Sequence, residues 1–283
     1  MADEHARDEA LRPLAPGTLL ELRSEALTVQ VAPEAGGRIA QICCDGMRWL
    51  CGPDEDDAAI AWGCYPMLPW AGRIRGGRFH FDGREYRLPA NLAAHAIHGV
   101  GFTLPWEVSG QSAAQLELSL QLPRDARWPF GGSASQRITL ARRALRLELS
   151  LTAGDQAMPR PVLGWHPWFR KPERLDFHPS GHFPRDGEGI ATRPPAPPPP
   201  HPWDDCFINN RPVRLYRAGQ GLCLTSGCDH WVVFDERLHT TCVEPQTGPP
   251  DAFNLDAGQR LAPGESMTAW FMLEQVASAH ALP

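Results

Sequence analysis

Leu145-Arg146-Leu147-Glu148-Leu149-Ser150-Leu151 is the stretch whose reading decides the fold. Leucine at every second position, spaced by polar residues, describes a strand with one face in a core and one in water. A helix would scatter these leucines around its circumference. The same period recurs at Leu116, Leu118, Leu120 and Leu122, spaced by Glu117, Ser119 and Gln121. Residues 78–81 and 84–88 flank Asp82-Gly83, which supplies the positive φ values of a type I′ hairpin turn. Further strands are expected at 19–23, 27–31, 38–43, 136–140, 230–234 and 267–273. No stretch of a dozen residues carries helical periodicity. Around fifteen short strands with turn signals between them predict an all-β chain with few or no helices, built as a large antiparallel sandwich.

Composition agrees with this. The chain has 283 residues, of which 42% are hydrophobic and 21% charged. Its 29 prolines and 26 glycines make up about a fifth of the sequence, nearly double ordinary usage, and argue against long helices. One domain over 1–283 is expected, with 1–16 a loose N-terminal segment. The proline-rich run at 193–202 reads as an extended surface loop without ladder bonds, a linker or a proline-motif ligand being the other readings.

Several classes of function are excluded. No run of 18 apolar residues is present to span a membrane. A net charge of −6 without basic clustering gives no footprint for nucleic acid. Lys171 is the single lysine, hence the single candidate for Schiff-base chemistry. Phosphate-loop, dinucleotide, nucleophile-elbow and helical zinc motifs are all missing, so neither a cofactor nor a metal is expected. The eight cysteines (Cys43, Cys44, Cys51, Cys64, Cys206, Cys223, Cys228 and Cys242) contain no C-x-x-C pair. With no apolar signal segment between Met1 and Leu14, they read as reduced, mostly buried thiols of a cytoplasmic protein.

Four clusters place polar groups in apolar company. His98 lies in Ala96-Ile97-His98-Gly99-Val100, where a satisfied turn histidine is the plain alternative. His166 lies in Leu163-Gly164-Trp165-His166-Pro167-Trp168-Phe169, among three aromatics that could equally form core. Asp204 and Asp205 follow the proline run, where paired acids are often turn residues. Glu244 ends an apolar strand in Cys242-Val243-Glu244-Pro245-Gln246-Thr247-Gly248. Burial raises a carboxylate's proton affinity and lowers an imidazole's, so Glu244 and His166 suit proton transfer near neutrality. Aromatic faces such as Trp165 and Trp168 suit the C–H face of a sugar ring.

In this order and spacing the four clusters resemble the aldose 1-epimerase (galactose mutarotase) family. The similarity runs from about Val31 to Leu273. It includes residues 65–74, the hairpin at 77–88, Trp128-Pro129-Phe130, and Glu244-Pro245-Gln246-Thr247-Gly248 followed by Asp251-Ala252-Phe253-Asn254. The resemblance implies a β supersandwich and interconversion of the α and β anomers of a free aldose, without cofactor; a monomer or weak dimer is the default expectation for the assembly. It assigns Glu244 as the general base, His166 as the general acid and His98 as an assisting imidazole. It assigns Arg73 and Asp204 to sugar binding, and the aromatic reading adds Trp165 and Trp168 as candidate pocket walls. Two positions depart from the family. Gly72 stands where an asparagine is usual, and Trp168 where a tyrosine is usual. Three other readings stay open: a glycoside hydrolase using Asp204 and Glu244 as paired carboxylates, a non-catalytic sugar-binding protein, and a hexose-6-phosphate epimerase with a phosphate held by Arg73, Arg75 and Arg78.

Overall fold

A computed structural model describes residues 8–277 as two large antiparallel sheets. The leucine strands lie in an 8-stranded sheet. There Gln115–Gln121 pairs with Ser133–Leu140, that strand with Ala144–Thr152, and that in turn with Ser266–Val276. Leu145, Leu147, Leu149 and Leu151 are all fully buried, and their neighbours between are half-exposed. The alternation therefore does what it predicted: one face meets the core and the other meets solvent. The hairpin forms as expected, with Asp82 and Gly83 both at positive φ. The expected strands at 19–23, 27–31, 38–43, 136–140, 230–234 and 267–273 are present with small changes of length. Among the described residues the only α-helix is the single turn Ala252–Leu255, and no helix is long and apolar enough to cross a membrane.

The second sheet has 10 strands and carries the centre of the molecule. Three of its strands, Cys64–Met67, Gly164–Arg170 and Thr240–Gln246, lie side by side and are buried almost throughout rather than alternately. Such strands have both faces covered. Their inner face, with Trp165, Phe169 and Val243, joins the main core between the sheets. Their outer face forms the floor of a cleft.

Two sequence expectations change. Residues 8–16 are tied down, not loose. Ala10 is buried, its N–H donates to Asn91 O, and its carbonyl accepts from Ile60. Leu14 N–H donates to Asp57 O. Residues 1–7 lie outside the described residues. The proline run does carry ladder bonds at its one alanine. Ala196 and His182 exchange both backbone hydrogen bonds, at 2.9 Å each. Ala196 is free to do this because, unlike its proline neighbours, it keeps an N–H. All eight cysteines are free, six of them buried.

Candidate active site

The floor of the cleft follows from strand register. On antiparallel strands, residues in register point to the same face. Asp204, Phe234 and Cys242 are register partners in turn, and Cys242 pairs with Trp168. The adjacent row runs Cys206, Val232, Glu244. His166 sits opposite Glu244, midway between the pairs Gly164–Gln246 and Trp168–Cys242, and is itself paired with Tyr65. His166, Glu244 and Trp168 are thus laid on one face by a period of two. The same parity sends Trp165 the other way. Trp165 is fully buried in the main core, its Nε1 donates to Gln136 Oε1 at 2.9 Å, and it packs on Phe271. The expectation that Trp165 walls the pocket is therefore corrected, whereas Trp168 does line it.

Glu244 and His166 meet directly. Glu244 Oε1 lies 3.1 Å from His166 Nε2, and both side chains are almost wholly buried. Burial pushes the Glu244 carboxyl well above its ordinary range. The nearby Asp204 charge pushes the same way, and Arg73 opposes it. Burial lowers His166 to about 3. Both shifts favour the uncharged forms, as expected for two ionisable groups removed from water. His166 is clamped between the rings of Tyr65, 4.8 Å away, and Trp168, 5.2 Å away. Its Nδ1 has no hydrogen-bond partner among the described residues. Trp168 is itself fixed by a 2.7 Å bond from its Nε1 to Ile60 O.

His98 meets the His166 ring edge-on at 4.9 Å. It adopts a left-handed conformation, φ 59°, which is costly for a residue with a Cβ. Gly72 holds it there with two bonds. His98 N–H donates to Gly72 O, and Gly72 N–H donates to His98 Nδ1 at 3.2 Å. Because Nδ1 accepts, the hydrogen-bond network assigns the ring proton of neutral His98 to Nε2. Burial keeps this imidazole well below its ordinary proton affinity, and the neighbouring His166 and Arg73 add to the effect.

Gly72 is also where the expected asparagine is missing, and packing gives the reason. Its φ is +67°, and a Cβ there would come within 2.6 Å of Pro250 Cβ. The Pro250-Asp251 turn fills the place of a side chain at position 72. Asp251 accepts from the Arg75 N–H, and Asn254 Nδ2 donates to Arg78 O. The segment after Glu244 thereby latches the segment that carries Arg73.

The Arg73 side chain lines the cleft with no hydrogen-bond or ion-pair partner among the described residues, whereas Asp204 is ion-paired with Arg185. Burial raises Asp204 despite that pair. Asp205 shares the same arginine at 3.2 Å. Arg185, Tyr65 and Arg237 belong to the site or its walls and were not singled out from the sequence, whereas Asp205 was, as one of the paired acids. Arg185 has no local signal, since it acts 19 residues away, on Asp204. The cleft has a volume of about 270 Å³, room for one small ligand. His166 contacts Glu244 in its lining, Asp204 and Arg73 act on Glu244 electrostatically, and Leu11, Ile60, Leu92 and Phe234 are among its apolar lining residues.

One trio could in principle ligate a metal: His166, Cys242 and Glu244 offer atoms within 4.8 Å of one another. Burial and Glu244 hold the Cys242 thiol well above its ordinary pKa, which opposes the thiolate a metal would need. The cation cluster imagined for a phosphate is not assembled. Arg75 pairs with Asp186 and Glu188, and Arg78 borders a different cavity.

Comparison with known proteins gives the family and the fold. The sequence profile for aldose 1-epimerase matches residues 18–274. The chain belongs to the aldose 1-epimerase family. It is 27% identical to the uncharacterized protein YphB of Escherichia coli K12, over 89% of this chain and 97% of that one. A crystal structure from the same organism, of a protein provisionally named an aldose 1-epimerase, superposes with a TM-score of 0.80 at 26% identity. It covers 92% of this chain and 99% of that one. A galactose mutarotase-like protein of Clostridium acetobutylicum superposes with a TM-score of 0.82 at 17% identity, covering 92% and 95%, and shares the fold. Membership covers both large sheets and all the cleft residues except Leu11, which precedes the matched segment.

Proposed function

We propose that this aldose 1-epimerase family member interconverts the α and β anomers of a free aldose, with Glu244 as general base and His166 as general acid. The observation that carries the reading is the 3.1 Å contact between His166 Nε2 and Glu244 Oε1 at the floor of a single-sugar cleft. A hemiacetal carries its hydroxyl and its ring oxygen on the same carbon. Opening the ring needs a proton taken from one and a proton given to the other, and an acid and base in mutual contact span that distance.

In the proposed step, the Glu244 carboxylate takes the C1 hydroxyl proton. The C1–O bond to the ring oxygen breaks as the C1 carbonyl forms, and the His166 imidazolium delivers its proton to the ring oxygen. Rotation about C1–C2 presents the other carbonyl face; the sugar hydroxyl then bonds to C1 as His166 takes its proton back and Glu244 returns its proton to the C1 oxygen. The pair starts and ends with the same proton count, so no cofactor is needed. Burial disfavours the separated charges, and one proton shift over the contact interchanges neutral pair and ion pair, which keeps the proton transferable in both directions. His98 Nε2–H would donate to the ring oxygen. Arg73 would donate to hydroxyls through its unpaired fork, and Asp204 would accept from them. All these residues come from one chain, so a monomer suffices.

The hydrolase reading fits less well, because Asp204 is committed to Arg185 and the nearest partner of Glu244 is an imidazole. The test is anomer exchange followed by NMR over glucose, galactose, other aldoses and glucose 6-phosphate. Acceleration of a free aldose supports the reading. No acceleration of any sugar, with sugar still bound, would favour a binding protein.

A further inference from the structure

Resting on His166 as the general acid, we infer that Arg38 and Arg237 are positioning residues: two cations that cap the ring stack containing His166 and oppose a third positive charge inside it. The stack is continuous. The Arg38 guanidinium lies between Trp62, at 4.2 Å, and Tyr65, at 5.0 Å. Tyr65 stacks on His166 with an interplanar angle of 24°, and His166 on Trp168 at 23°. Beyond Trp168, the Arg237 guanidinium sits 5.0 Å from the ring. The acid of the site is the middle ring, with a cation beyond the aromatic on each side.

Arg38 is unusual in its own right. It is fully buried, and no carboxylate among the described residues lies within ion-pair distance. Four backbone carbonyls hold it: Ala35 O from Nε at 2.7 Å, Ala59 O and Trp62 O from Nη1, and Phe102 O from Nη2 at 2.7 Å. A buried charge is expensive unless fully hydrogen-bonded, and one without a counterion is rarer still. Burial lowers Arg38 only to about 9, so it stays charged at neutral pH. Its charge, like that of Arg237, acts to lower the proton affinity of His166, after burial itself.

The other groups facing His166 are Glu244 and Cys242 on the next strand, Tyr65 on the strand opposite, and His98 edge-on. Arg73 and Asp204 line the same cleft. Asp56 sits 3.6 Å from Arg237 and weakens its field. The chemistry gives the arrangement a purpose. A sugar ring oxygen is a very weak base, so the imidazolium that protonates it must be a strong acid. Two charges about 10 Å apart at an effective dielectric of about 20 couple by roughly one pH unit.

The test compares Arg38→Met with Arg38→Lys, and Arg237→Gln with Arg237→Lys. Two quantities are measured for each folded variant: the NMR titration of the His166 ring and the acid limb of anomer exchange. The neutral variants should move both upward, by roughly one pH unit at Arg38 and by less at half-exposed Arg237. The lysine variants, which keep the charge, should stay near wild type. Equal shifts in lysine and neutral variants would reduce both arginines to structural parts and overturn the proposal. So would titrations that coincide with wild type. Should Arg38→Met fail to fold, the Arg237 pair decides alone. The ring titration is independent of turnover, so loss of the epimerase reading and loss of this one give different results.

Discussion

Restoring the family's asparagine in Gly72→Asn should destabilise this protein. The backbone at 72 has φ +67°, which asparagine tolerates better than most residues but at a cost of order 1 kcal/mol. The larger cost is space. The new Cβ would lie 2.6 Å from Pro250 Cβ, 2.7 Å from Pro250 Cγ and 3.1 Å from Pro250 Cα. Overpacking of this kind costs about 1–3 kcal/mol. The sum, about 2–4 kcal/mol, corresponds to a fall in Tm of roughly 5–12 °C for a chain of this size. Thermal unfolding followed by circular dichroism measures it. Activity should fall as well, because relieving the clash shifts the backbone of residue 72, whose N–H and carbonyl make both hydrogen bonds that hold His98. Pro250→Gly removes the obstructing ring, so in the double variant the two losses should be less than additive, with a coupling of about 1–3 kcal/mol. A Gly72→Asn protein as stable as wild type, or strictly additive losses, would refute the packing argument.

Glu244→Gln should change the pH dependence of stability. The folded-state pKa of Glu244 lies above its ordinary value of 4.5, so its stabilising contribution is complete below that value and is lost as pH rises through the folded pKa. Glutamine carries no such loss. The variant should gain on wild type between about pH 4.5 and the alkaline side, with a limiting slope of about 1.4 kcal/mol per pH unit, read from denaturant unfolding at a series of pH values. His166 works in the opposite sense. Its depressed pKa gives stability above its ordinary value of 6.5 that is lost as pH falls towards 3, so His166→Asn should resist acid unfolding better than wild type. The two tryptophans of one strand should separate. Trp165→Ala should cost about 3–5 kcal/mol of stability, while Trp168→Ala should chiefly lower kcat/KM for anomer exchange.

The two-residue period of Leu145 to Leu151 was enough to give the sheets, because a half-exposed strand has one arrangement that satisfies both faces. The site strands announced themselves differently. Leu163–Phe169 and Cys242–Gln246 lack alternation because both their faces are covered, and a histidine or glutamate in such company is conspicuous. Trp165 was misassigned although parity separates it from His166 and Trp168; applying the strand period inside the cluster would have corrected it. Gly72 was legible as a departure but not as a necessity, because Pro250 lies 178 residues away. The Arg38 cradle and the Arg185–Asp204 pair were illegible for the same reason: their partners come from separate segments, and no local pattern encodes them.

The most direct test of the central claim is two-dimensional exchange NMR of α- and β-aldose signals with wild type and Glu244→Gln, both verified as folded. Wild type should speed exchange of at least one free aldose far beyond the spontaneous rate. The variant should lose about 10²–10⁴-fold of that rate while keeping its fold. An undiminished rate in Glu244→Gln would contradict the assignment of the buried Glu244–His166 pair as the base and acid of the reaction.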